Sequence, residues 1–183
     1  NVRVFEKLID GNTPLIGLEP SAILSFRDEY PRIVGPEWVE GAKKLKFHVQ
    51  LIDEFLGKEV AAGNIKPEEF TTRAEKIKLH GHCHQKALSS LSWTQKILSL
   101  PVNYVVETIP SGCCGMAGSF GYEAEHYEIS QQVGELVLFP AVRKAEVDTL
   151  IAAPGTSCRH QIADGTGRKA LHPIEILWNA LKR

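Results

Sequence analysis

Four cysteines, Cys83, Cys113, Cys114 and Cys158, are the residues of this 183-residue chain best suited to unusual chemistry. Thiolates bind soft metal ions and iron–sulfur clusters, attack electrophiles and exchange with disulfides. A bond between the neighbours Cys113 and Cys114 would be strained. A secreted disulfide framework is also normally denser in cysteine and shorter. The pattern points instead to a reduced, cytoplasmic setting. One thiolate site holding an iron–sulfur cluster or a single metal ion is the expectation.

Other polar residues cluster around these positions. His82 and His84 flank Cys83, and read either as metal ligands, as supporting hydrogen-bond groups, or as partly solvated turn residues. Lys86 and Arg159 can offset thiolate charge. His160 reads as exposed, and His172 as a helix-start residue or a site-facing one. Adjacent residues in extended chain point to opposite sides, so Cys113 and Cys114 can share a site only if the backbone turns sharply. Gly112 and Gly115 flank the pair and permit that turn. Gly118 and Gly121 continue a glycine spacing that matches neither a dinucleotide fingerprint nor a phosphate loop. Glu19 and Ser21 read as a helix cap ahead of a site contact, and Arg168 with Lys169 as a solvated loop.

The elements that must position these residues alternate. The spacing predicts a strand over 13–18, then a helix opened by Pro20 and Ser21. Trp38, Ala42, Leu45, Val49, Ile52 and Leu56 form one apolar stripe that predicts a helix over 37–60. Strands are predicted over 76–80, 103–109 and 148–153, with helices over 85–98, 122–138 and 140–145, one after Cys158, and a last one over 173–181. Strands alternating with helices predict an α/β fold with a mostly parallel sheet and flanking helices. Cys83, the Cys113–Cys114 pair and Cys158 each follow a strand within a few residues and precede a helix. Such positions share the carboxyl edge of a parallel sheet, where open α/β folds bind ligands. Nearby helix starts would make the cysteines easier to ionise.

A net charge of −1 gives no nucleic-acid footprint, and no apolar run is long enough for a transmembrane helix. The opening residues lack the pattern of a signal peptide. The chain starts at Asn1 and its single Met is Met116, so it reads as part of something longer.

With Cys83 upstream, the Gly112-Cys-Cys-Gly115 run in the middle and Cys158 downstream, the sequence resembles the cysteine-rich CCG domain found in heterodisulfide reductase and in the iron–sulfur subunit of glycolate oxidase. The runs Gly17-Leu-Glu-Pro-Ser21, His80-Gly-His-Cys-His-Gln-Lys86, Ala153-Pro-Gly-Thr-Ser-Cys-Arg-His-Gln161 and His172-Pro-Ile-Glu175 make it most similar to the C-terminal region of large FAD-linked 2-hydroxy-acid dehydrogenases. The resemblance spans nearly the whole chain and implies one CCG-type domain over 1–183. Upstream would lie an FAD-binding domain, a ferredoxin-like segment and a first CCG unit. The family pattern is Cys, then Cys-Cys-Gly, then Cys-x-x-Cys, and its fifth position falls on Gln161. Four thiolates are therefore implied, with His82, His84, Gln161, His172, Gly112 and Gly115 supporting them.

On ligand count, four thiolates suit a [4Fe–4S] cluster and tetrahedral zinc equally. The resemblance implies electron transfer and so favours the cluster, with zinc an alternative in an isolated fragment. The module itself would hold no catalytic residue. It would pass electrons from FAD to an acceptor that can hold it peripherally at a membrane. Two rival readings are a zinc-bound structural or docking module, and a thiol enzyme in which a low-pKa cysteine such as Cys83, between two histidines, is a nucleophile or exchanges disulfides.

Overall fold

The computed structural model describes residues 1–182. Six strands, β1 (Leu15–Gly17), β2 (Val49–Leu51), β3 (Glu75–Leu79), β4 (Tyr104–Thr108), β5 (Leu150–Ala152) and β6 (Ala170–Leu171), form two sheets. β1 and β2 pair in parallel by themselves. The main sheet runs β4-β3-β5-β6 and is parallel throughout. The α/β class predicted from the alternation is therefore observed.

The first helices are α1 (Val2–Phe5), α2 (Pro20–Ile23), α3 (Ser25–Asp28), α4 (Tyr30–Ile33), α5 (Val39–Leu45) and α6 (Ile52–Ala61). The main-sheet region adds α7 (Cys83–Leu88), α8 (Leu91–Leu98), α9 (Tyr127–Leu136), α10 (Leu138–Arg143), α11 (Thr156–Thr166) and α12 (Pro173–Ala180).

Alternation explains the central strands: Ile77 and Leu79 are buried between the lysines of β3. Successive residues of β5 serve opposite faces. Ile151 packs with Phe139, Val142 and Ile162 of α10 and α11, whereas Ala152 packs with Leu98 of α8 and Ile176 of α12. The sheet is thus covered on both sides, as parallel sheets require.

The helix predicted over 37–60 is three elements. α5 ends in a turn closed by the His48 N–H on the Leu45 carbonyl, β2 follows, and α6 starts at once. The apolar stripe misled because Val49 and Leu51, two residues apart, also satisfy a strand's period, and both are buried. As a strand, this segment supplies the partner that β1 needs, with Leu15 opposite Val49 and Gly17 opposite Leu51. Glu54 then accepts from the Leu51 N–H at 2.9 Å and starts α6.

Smaller differences have equally local causes. The 85–98 helix breaks at Ser89, and Ser90 caps the restart by accepting from Ser92 N–H at 3.2 Å. The 122–138 helix begins only at Tyr127, after two short 3₁₀ turns, and Pro140 lies inside α10 rather than opening it. Arg168 is not solvated loop: its guanidinium gathers the carbonyls of Ala145, Glu146, Val147 and Thr149. Two-residue β6 escaped the sequence reading because so short a segment carries no period.

Candidate metal centre

Strand order places the centre. β3 leads through α7 and α8 to β4 on one side, whereas β5, on the other side of β3, leads through α11 to β6 beyond it. The connections leaving β3 and β5 diverge, which opens a crevice at their carboxyl ends. Leu79 is level with Thr108 and Ala152, and Ala152 with Leu171. The next backbone bonds, His80 N–H to Ala152 O and Ile109 N–H to Leu79 O, both 2.8 Å, carry the ladder up to the loops that hold the cysteines.

All four cysteines are free of disulfides; Cys83 is exposed, Cys113 half-buried, and Cys114 and Cys158 buried. Cys83 sits at the first residue of α7, and Cys158 lies inside the first turn of α11 rather than ahead of it. The sulfurs form a connected chain. Thiol hydrogen bonding links Cys113 to Cys83 and to Cys114, and Cys114 in turn to Cys158, with no covalent bond among them.

Hydrogen bonds from Cys114 and Cys83, against the opposing effect of burial, hold Cys113 far below the ordinary thiol value. Cys158 is lowered to about 5, chiefly by Cys114, with burial opposing and the adjacent His80 ring assisting. The donors shift the opposite way: Cys83 is raised by its bond to Cys113 and then by burial, and Cys114 by its bonds to Cys113 and Cys158. The thiols that donate to Cys113 and Cys158 favour the thiolate form at those two sulfurs.

The sharp turn after the pair is made at Gly115, with φ +104°. Its N–H donates to Cys113 Sγ at 3.3 Å, and a Cβ there would lie 2.1 Å from the Ser130 carbonyl oxygen. Gly112 needs no such freedom: its φ is not positive and a Cβ would meet nothing within 4 Å. Its carbonyl instead accepts from Lys86 Nζ at 2.7 Å, beside the Ser111 carbonyl at 2.8 Å. Lys86 thus pins the loop entering the cysteine pair. Arg159 likewise serves backbone, donating to the Ala153 and Pro154 carbonyls.

His82 caps α7, its Nδ1 accepting from His84 N–H at 3.2 Å. Burial holds its pKa below the ordinary value, with Cys158 and Glu19 partly offsetting this. The ring packs on Gly155, where a Cβ would come within 2.3 Å of His82 Cδ2 and 3.2 Å of Cys158 Sγ. His84 is half-buried beside it. His172 follows β6 at the same edge and caps α12, while its Nε2 lies 3.1 Å from the Leu18 carbonyl oxygen. Burial lowers its pKa against that contact. His160 is exposed and bonded to the Tyr122 hydroxyl at 2.7 Å. Gln161 is buried, but its amide nitrogen donates to the Ser130 carbonyl and hydroxyl at 3.0 and 2.9 Å. It braces α11 against α9 behind Gly115.

Glu19 does more than the capping expected of it. It caps α2 through Ser21, and its Oε2 also accepts from Thr156 N–H at 2.8 Å. Burial would raise its pKa, but the Thr156 and Ser21 bonds outweigh that and lower it. A recess of about 640 Å³ lies next to the cysteines rather than among them, walled by Glu19, Thr156, Arg159 and His172 among others.

One residue escaped the sequence reading. His80, fully buried at the end of β3, has a ring nitrogen within 4.8 Å of both Cys114 Sγ and Cys158 Sγ, which also lie within 4.8 Å of each other. Its place at a strand's carboxyl end was the signal available. The Cys114 and Cys158 sulfurs and the His80 imidazole lie close enough to share one ion, with Cys113 linked to Cys114 and Cys83 to Cys113, a donor set of the kind that soft metal ions and iron–sulfur clusters take.

No family model matches the chain, and no solved structure matches it. Among curated proteins, it is similar to D-2-hydroxyglutarate dehydrogenase of Pseudomonas putida, with 32% identity over all of this chain and 17% of the relative. D-2-hydroxyglutarate dehydrogenase of Escherichia coli is 29% identical over 92% of the chain and 16% of its own length. One subunit of the anaerobic glycerol-3-phosphate dehydrogenase of Escherichia coli is 27% identical over 92% of the chain and 40% of its own length. The chain therefore spans under half of each, matching only a part of a longer protein.

Proposed function

We propose that this chain is the iron–sulfur electron-transfer module of an FAD-linked dehydrogenase acting on a 2-hydroxy acid, a single CCG-type domain over 1–183 of a longer protein. The observation that carries this reading is the nearness of the four cysteine side chains to one another at one crevice of a parallel sheet, with Cys113 and Cys158 shifted toward the thiolate form by their neighbours. The similarity to D-2-hydroxyglutarate dehydrogenases supports the redox role.

In this reading Cys83, Cys113, Cys114 and Cys158 hold the cluster. Lys86 and Gly115 shape the loop around the adjacent pair, and Glu19 fixes the start of α11. His82 and Gly155 close the crevice on one side, and Gln161 braces it from behind. A bound cluster would supply one-electron acceptance and donation at the potential its surroundings set. The protein's own contribution is a half-open pocket in which Cys83 is exposed and Cys114 and Cys158 are buried.

The test is anaerobic reduction of the full-length protein by its hydroxy-acid substrate, followed by electron paramagnetic resonance. A cluster signal that appears with substrate and is missing from a Cys114→Ser variant is the expected result. A zinc centre without redox role is the second reading, favoured by the close His80–Cys114–Cys158 trio, whose spacing suits a single ion. Substrate would then produce no signal that depends on Cys114.

A further inference from the structure

The His80 side chain is fully buried, and its two ring nitrogens have different surroundings. Nδ1 is bonded to Ser111 Oγ at 2.7 Å. Nε2 is buried with no hydrogen bond of ordinary geometry, and its nearest polar neighbour is the Cys158 thiol. Native interiors leave few such groups unsatisfied, and a missing ion is one of the standard reasons. Nδ1 being taken, Nε2 is the nitrogen available to the space shared with Cys114 and Cys158.

We propose that His80 is itself a ligand of the centre, binding metal through Nε2 alongside the Cys114 and Cys158 sulfurs. This rests on reading the cysteines as a metal site, but not on whether the metal is iron or zinc.

The surroundings favour ligation. A ligating imidazole typically donates its other ring N–H to a fixed acceptor, which selects the tautomer and aims the ring. Ser111 Oγ is such an acceptor, itself buried, in a loop whose backbone Lys86 clamps. His80 is fixed from the other side by its N–H on the Ala152 carbonyl, in register with the strand leading to Cys158. Two other histidines at this edge are differently occupied: His82 Nδ1 caps α7 and His172 Nδ1 caps α12. Gln161, the other buried polar side chain nearby, commits its amide to Ser130 and Gln131. A neutral imidazole adds a donor without adding negative charge to a crowd of thiolates. Histidine ligation of an iron–sulfur cluster raises its potential.

The full-length protein, labelled with ¹⁵N-histidine and purified anaerobically, tests this. If iron and sulfide are present, pulsed electron paramagnetic resonance of the Cys114-dependent signal should show a directly bound histidine nitrogen. His80→Cys should keep the metal and lose that coupling, whereas His82→Ala and His84→Ala should keep it. His80→Ala should retain metal at least about tenfold less tightly. Absence of a directly bound nitrogen in the wild type, or its persistence in His80→Cys, overturns the proposal whether or not His80→Ala folds. If zinc alone is present, the electron-transfer reading fails. X-ray absorption at zinc then decides for His80: a nitrogen ligand lost in His80→Cys supports it, and an all-sulfur shell in the wild type overturns it. A protein binding neither metal overturns both.

Discussion

The Glu19 carboxylate accepts a hydrogen bond from the Thr156 N–H at 2.8 Å, across 137 positions of sequence. It ties the turn after β1 to the start of the helix that carries Cys158, and so joins the small sheet to the main one. Glu19→Ala removes this bond and the α2 cap together and should cost about 2 kcal/mol in denaturant unfolding. Glu19→Gln keeps an acceptor oxygen and should recover most of that loss. Equal losses in the two variants would show that the bond to Thr156 does not matter.

Gly115 and Gly112 flank the same cysteines and should respond oppositely to a methyl group. Gly115→Ala forces a left-handed backbone and a contact of 2.1 Å with the Ser130 carbonyl, and should destabilise by at least about 2 kcal/mol. Gly112→Ala meets nothing within 4 Å and should stay within about 0.5 kcal/mol of the parent. Thermal unfolding of both variants checks the pair.

The sequence could yield the cysteine convergence because strands β3, β4 and β5 have clear patterns and each cysteine stands just after one. It could not yield the diverging helices, which depend on β5 pairing with β3 instead of β4. The 37–60 segment failed for a different reason: Val49 and Leu51 satisfy both periods, and only the need of β1 for a partner decides between them. Glu19 and His80 needed tertiary contact to acquire meaning. Glu19's partner lies far along the chain, and His80 is conspicuous only once its Nε2 is known to be buried with no hydrogen bond of ordinary geometry. Gln161 was legible as a non-thiolate, but its grip on Ser130 was not.

Lys86 should matter to the metal more than to the fold. Its ammonium holds the carbonyls of Ser111 and Gly112, so Lys86→Met frees the loop without opening the core. Loss of such a support typically weakens metal binding about tenfold. Release to a chelator should accelerate accordingly while the unfolding midpoint of the metal-free protein barely moves. A parallel fall in both would mean Lys86 is a stability residue.

Away from the centre, Arg27 clamps Glu54 and also donates to the Val49 carbonyl at 3.1 Å through Nε. Burial pushes Glu54 upward, but Arg27, Ser89 and the Leu51 N–H outweigh it and hold its pKa below the ordinary 4.5. A lowered folded pKa contributes stability that is fully present above 4.5 and is lost as pH falls through the folded value. Glu54→Gln should therefore cost about 2 kcal/mol at neutral pH. The gap should close in acid, below the ordinary value. Asp53, raised by burial and to a smaller extent by the Glu54 charge, does not cancel fully: the variant relieves it, which narrows the gap slightly at neutral pH. A gap that stays constant with pH would contradict the assignment.

The most direct measurement is a count of iron, acid-labile sulfide and zinc in anaerobically purified full-length protein, beside the same count for Cys114→Ser. Cys114 lies between Cys113 and Cys158 in the chain of sulfurs, so its loss should remove one cluster's share of iron and sulfide together. An unchanged iron and sulfide count in Cys114→Ser, or stoichiometric zinc with neither iron nor sulfide in the wild type, would contradict an iron–sulfur centre built on these cysteines.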